Sequence, residues 1–174
     1  MAPCSGAFVC RVPRRCAGTG STADWKRCHR QEVAMSDEGH IRELTAEECR
    51  EYLTLARIGR IAFNGPEKIE LVVANVAVPD ADHLLLRTEP DSVLAHLAGD
   101  EPTPVAVEID HLEELYRWGW SLTVHGTARR ASEEQVMHWQ QQEPHPWAPG
   151  DRDLHVAITI EQMAGRKVRA AKPS

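Results

Sequence analysis

Ile58-Gly-Arg-Ile-Ala-Phe63, Asn64-Gly65-Pro66, Ile69-Glu-Leu-Val-Val-Ala-Asn-Val-Ala-Val78, Pro79-Asp-Ala-Asp82 and His83-Leu-Leu-Leu-Arg-Thr88 follow one another along the chain. Three of these runs are rich in β-branched and aliphatic residues, which suit a pleated strand. The other two are turn chemistry. Connections this short cannot hold the crossover that a parallel pair needs, so the three strands form an antiparallel meander. The middle run is apolar almost throughout and reads as a well-buried strand.

Outward from the meander the pattern continues. On its N-terminal side, Thr45-Ala-Glu-Glu48 is a capping box, with Leu44 and Cys49 at the staple positions. Cys49, Leu53 and Ala56 then share one face, and the helix is expected to end near Arg57 because Gly59 follows. On the C-terminal side a short helix is expected over 90–98, with Gly99 at its end. Thr103 to Asp110 is a fourth strand. Trp118 to Ala131 is a long fifth, with Gly119 and Gly126 as bend or bulge points. Ser132-Glu-Glu-Gln135 is a second capping box, and a proline-rich loop covers 143–153. Leu154 to Ile160 is a sixth strand, with a short seventh over 164–169. Six antiparallel strands with a few short helices place the chain in the mainly β (α+β) class, as a small barrel.

The 174 residues are 42% apolar and 26% charged, a globular balance. The net charge of -6 argues against a nucleic-acid binder that works by bulk phosphate attraction. No apolar stretch is long enough for a membrane helix. A cytoplasmic protein without a membrane role is therefore expected. The charge is uneven. Residues 1–34 hold six basic and two acidic groups, and four of the five cysteines (Cys4, Cys10, Cys16, Cys28). Their spacing fits no common zinc site. Residues 1–35 are expected to be an unstructured or non-native extension, with Met35 as a natural start, and 36–172 to be the working domain. The remainder of the chain is strongly acidic, so each arginine there has more weight.

No Walker loop, dinucleotide fingerprint, HExxH or nucleophile elbow is present. The chemistry rests on three weaker features. In Leu86-Arg-Thr-Glu-Pro-Asp-Ser92 a strand ends in Arg87-Thr88 just before a helix. A cation, two hydroxyls and a helix start suit an anion. Ordinary capping beside a surface arginine accounts for the same residues. Trp118 and Trp120 share a strand face, with Trp147 in the proline-rich loop. They either wall a flat ring or pack a core or an interface. Asn75 is polar within an apolar strand, so it is either an outward-facing residue or a ligand contact.

Taken in order, these pieces resemble the pyridoxamine 5'-phosphate oxidase-like family, the FMN-binding split β-barrels, and within it the small flavin-binding branch common in actinobacteria. The resemblance runs from Leu44 to Arg169. It rests on the Leu44–Cys49 helix start, Ile58–Phe63, Val72–Val76, Leu86–Thr88, Gly119-Trp-Ser-Leu-Thr-Val-His-Gly126, Pro146-Trp-Ala-Pro-Gly150 and Gly165-Arg-Lys167. It implies a six-stranded antiparallel split β-barrel that forms a homodimer, with FMN in the groove between subunits. Arg87, Thr88 and Ser92 would hold the phosphate. Main-chain groups of Val73, Ala74 and Asn75 would edge the isoalloxazine ring. Trp120 and Ser121 would lie near the flavin, and Trp147 and Arg152 would approach from the C-terminal loop of the same or the partner subunit.

One departure stands out. Many relatives carry a Lys or Arg after the serine, where this chain has Val93 and Leu94. A charge-assisted contact of that kind contributes about 1.5–3 kcal/mol, a ten- to hundredfold change in affinity. The leading expectation is an FMN-dependent oxidoreductase acting on a small-molecule substrate. The alternatives are an oxidoreductase using the deazaflavin F420, with Arg57, Arg60, Arg129 and Arg130 lining its longer tail, and a non-catalytic dimer that binds a small ligand.

Overall fold

The computed structural model describes residues 39–147 and 150–171. The proposed extension over 1–35 lies outside the described residues, as do positions 148 and 149 of the proline-rich loop. Seven antiparallel strands form one sheet: β1 (His40–Glu43), β2 (Ile58–Asn64), β3 (Ile69–Asp80), β4 (His83–Thr88), β5 (Thr103–Glu113), β6 (Trp118–Arg130) and β7 (Leu154–Arg169). Helix α1 (Ala46–Leu53) precedes β2, and helix α2 (Glu133–His138) follows β6. The strand order β1-β7-β4-β3-β2-β5-β6 returns to β7 through a further β6–β7 pairing, so six strands close into a ring and β1 is appended.

The period-two rule explains the core. Ile61 and Phe63 of β2, Val105, Val107 and Ile109 of β5, and Leu122 and Val124 of β6 all point inward and are buried. Leu84 and Leu86 of β4 meet Val156 and Ile158 of β7 in the same cluster. Cys49 and Leu53 of α1 and Leu94 and Leu97 of the 93–98 segment pack against it. Leu85, Ala157, Ala131 and Trp139 form a small second cluster. Both capping boxes are present, on Thr45 with Glu48 and on Ser132 with Gln135.

Four expectations change. β3 is not well buried: only its inward row, centred on Val76, packs on the core, while Ile69, Leu71 and Val73 are 74%, 68% and 64% exposed. A strand apolar on both faces needs cover on both, and this chain supplies it on one. The strands expected over 154–160 and 164–169 are one strand of 16 residues, because a bulge at Glu161 carries pairing from Ile160 to Gln162. β1 was not expected, since four exposed residues give no period. α1 ends at Leu53, with Thr54 closing the turn, so Ala56 packs on the core from outside the helix.

Gly126 faces the bulge on β6, and a Cβ there would run into the Thr159 carbonyl oxygen. Gly126→Ala is expected to lower unfolding stability by about 3 kcal/mol in a denaturant titration, since backbone rather than a side chain must move. A loss below about 1 kcal/mol would show that the bulge relaxes.

Arg42 of β1 donates two hydrogen bonds to Glu48 of α1, at 2.8 and 2.6 Å. This guanidinium, with the Thr45 amide, holds the Glu48 carboxyl at about 2, below its ordinary 4.5. A depressed carboxyl stabilises the fold above its unfolded value, and that contribution disappears as pH falls through about 2. In a side-chain carboxyl NMR titration, Arg42→Ala is expected to bring Glu48 back toward 4.5. A midpoint still near 2 would assign the depression to the cap amide alone.

Candidate functional site

The split between β3 and β4 is where the sheet offers unpaired chemistry. β3 pairs β2 over residues 69–75, but it pairs β4 only from Val76, opposite Leu86, onward. Continuing that register puts Arg87 across from Asn75 and Thr88 across from Ala74, where the ladder has already ended. Main-chain groups of Val73, Ala74 and Asn75 therefore border a gap in the sheet, beside the last two residues of β4.

Asn75 faces outward, as period two requires of a residue next to inward Val76. Its side chain is fixed from both ends: Nδ2 donates to the Arg57 carbonyl at 3.4 Å, and Oδ1 accepts from the Trp147 amide at 3.1 Å. Trp147 and Asn75 thus belong to one groove of about 520 Å³, also lined by Arg57, Glu143 and His145. The C-terminal loop reaches β3 of its own chain, and the Trp147 side chain is 78% exposed.

Thr88 is 4% exposed, and its hydroxyl bonds the Ser92 hydroxyl. The helix expected over 90–98 is a 3-10 helix at Val93–Ala98. Ser92 sits at its N-cap but makes no side-chain capping bond, since its hydroxyl turns to Thr88 instead. With so short a helix the amide dipole adds little, and the anion-suited groups are Arg87 and the two hydroxyls.

Arg87 lies against the C-terminal loop. Its Nε donates to the Arg152 carbonyl at 2.8 Å, Nη1 to Glu143 Oε2 at 3.1 Å, and Nη2 is 3.7 Å from Asp153. The second Glu143 oxygen is 3.2 Å from His155 Nε2, and Arg152 pairs with Glu89 at 3.0 Å. Glu143, Asp153, His155 and Glu89 were not anticipated. His155 had a partial signal, as the second residue of the strand that opens at Leu154, but only the fold sets it in register with Arg87. Glu143 had none beyond being an acid in a proline-rich loop.

The remaining expected residues fall elsewhere. Ala74 points into the core, and Val73 stands on the outer face. Trp120 is 5% exposed and packs on Tyr52, with ring centres 4.6 Å apart. It belongs to a second groove of about 480 Å³ with Trp118, His111 and Arg60. Ser121, on the opposite face of β6, lines a third depression with Glu108, Thr123 and Arg166. So one protomer joins Arg87, Glu143 and Arg152, and Glu143 shares a groove with Asn75 and Trp147. Thr88 and Ser92 form a separate hydroxyl pair at the end of β4, and Trp120 and Ser121 lie in other depressions.

The model of the family described as pyridoxamine 5'-phosphate oxidase matches residues 45–167. The chain belongs to this family. An uncharacterized protein of Mycobacterium tuberculosis is 30% identical to this family member over 131 residues, covering 74% of this chain and 86% of its own. Among solved structures, the FAD binding protein of Mycobacterium smegmatis is 27% identical with a TM-score of 0.62, over 74% of this chain and 98% of its own. A FAD-binding protein of Mesorhizobium loti is 25% identical with a TM-score of 0.58, over 75% and 98%. The matched region spans the ring and the split between β3 and β4. No helix among the described residues is long and apolar enough to cross a membrane.

Proposed function

We propose that this protein is a flavin-dependent oxidoreductase that works as a homodimer, with FMN as cofactor and residues 36–172 as the working domain. The observation that carries this reading is the split between β3 and β4. The proposed phosphate donors are the Arg87 guanidinium and the Thr88 and Ser92 hydroxyls, which flank the end of β4 on its two faces, next to the unpaired edge of β3. That edge offers main-chain donors and acceptors to the rim of a planar ring, and Asn75 is held in place by Trp147. The flavin, when bound, supplies the electron transfer. The chain's own residues bind and orient it, so no acid–base constellation is required. The likeness to two proteins described as FAD-binding supports a flavin. Of the cations that the deazaflavin reading would use, Arg60 is held by Glu108 and Asp110 at 2.8 and 2.9 Å.

The outer row of β3 supports the dimer. Ile69, Leu71 and Val73 form an exposed apolar stripe that ends at Asn75. Covering such side chains is worth about 1.5–3 kcal/mol each, enough to drive association of a self-complementary face. A second copy laid on this stripe would wall the groove at Asn75 and could bring further residues to it. Either Trp120 or Ser121, which lie on opposite faces of β6, is a candidate for that contribution.

Purified protein titrated with FMN is expected to acquire the flavin absorbance bands and to oxidise or reduce a nicotinamide or a small organic acceptor. Arg87→Ala is expected to weaken FMN by up to about fivefold and to leave riboflavin unchanged. Protein that can be loaded with neither FMN nor riboflavin would exclude the flavin reading. Loading without any turnover would identify a flavin-binding dimer that is not an enzyme.

Light scattering is expected to give a dimer mass for the native chain. Leu71→Glu is expected to give a folded monomer with at least tenfold weaker FMN binding. A dimer unaffected by Leu71→Glu would place the interface elsewhere.

A further inference from the structure

Arg87 has a partner that competes with any phosphate. Its Nη1 donates to Glu143 Oε2 at 3.1 Å, and the two side chains are only 26% and 20% exposed. A pair this sheltered is held more firmly than a loose surface contact. Glu143 is also fixed from behind, since its Oε1 lies 3.2 Å from His155 Nε2. Its loop is anchored further along, where the Trp147 amide donates to Asn75. Pro144 and Pro146 stiffen the stretch between these anchors.

A carboxylate and a phosphate present the same oxygen acceptors to a guanidinium. One N–H cannot serve both at full strength. The surrounding charge has the same sign: Glu89, Glu143 and Asp153 face the two guanidiniums of Arg87 and Arg152. Among the described residues this cluster sets three carboxylates against two guanidiniums before any ligand arrives. The position after Ser92 is Val93, which adds no cation.

We infer that Glu143 is a specificity-determining residue of the flavin site. It occupies Arg87 as a ligand phosphate would, so a phosphate-bearing flavin must displace it. The site then selects its cofactor more by the ring than by the charged tail. This rests on the flavin reading given above. It goes further in naming the residue that sets how much the tail counts.

The test compares FMN with riboflavin, which has the same ring and no phosphate, by quenching of flavin fluorescence on the full chain. The native protein is expected to prefer FMN by no more than about fivefold. Glu143→Gln keeps the shape and removes the charge. It is expected to raise that preference at least tenfold, through tighter FMN and unchanged riboflavin. Adding Arg87→Ala to Glu143→Gln is expected to abolish the gain. Glu143→Ala, checked for a native circular dichroism spectrum and melting profile, is expected to shift the ratio in the same direction. An unchanged ratio in both Glu143 variants would overturn the inference. So would a parallel loss of FMN and riboflavin, which would mean that the pair only holds the loop. In both cases riboflavin binding by the native chain leaves the flavin reading standing. No binding of either flavin by any variant would remove the flavin reading, and this inference with it.

Discussion

Closure of the ring depends on the pairing between β6 and β7. It runs from Trp118 opposite Arg169 to Arg130 opposite Val156, interrupted only by the bulge near Gly126. The first part of β7 also pairs β4, and its far end pairs β1. One strand thus pairs on both of its edges over residues 156–159 and 166–169. Without it, β4 and β6 would be open edges, and the inward rows of β2, β5 and β6 would have no far wall. The bulge is what lets a single strand serve two neighbours in turn. It increases the local twist, so that β7 leaves β4 and reaches β1.

The same geometry opens the sheet elsewhere. β4 has six residues and β3 has twelve, so β4 cannot follow β3 along its whole length. Pairing stops at Val76, and the first half of β3 is left with a free edge and an uncovered outer face. Two needs therefore coincide at one place. The backbone groups of Val73 and Asn75, which point away from β2, need partners, and the side chains of Ile69, Leu71 and Val73 need apolar cover. A flavin rim and a second subunit would meet these needs together, which ties the proposed cofactor site to the proposed dimer.

Much of this was legible in the sequence where the signals are local. The two capping boxes, the turn at Asn64-Gly65-Pro66 and the inward rows of β2 and β5 follow from residue type and spacing. Three kinds of feature were not. β1 is too short and too polar to show a period. β3 carries apolar residues on both faces, and burial of the second face is not encoded within one chain. The bulge at Glu161 depends on where β6 sits, so a break in pattern within β7 looked like a gap between two strands. At the site, Arg87, Thr88 and Ser92 were found together because they are close in sequence. Glu143 is 56 residues from Arg87, and only the fold brings it there.

The acidic balance of the chain bears directly on that last contact. In a domain with an excess of carboxylates, an arginine placed at a sheet opening attracts one of them unless a ligand is present. Glu143 does so from a loop fixed at Asn75, Arg87 and His155. The pair ties the loop to the end of β4 and fixes the direction of the guanidinium. A phosphate would inherit that orientation, at the expense of the Glu143 contact. The same carboxylate thus preorganises the site and weakens it for its most charged ligands. Of these two effects, the second is larger if the loop keeps its place without the ion pair, since the Trp147 bond to Asn75 does not involve Arg87.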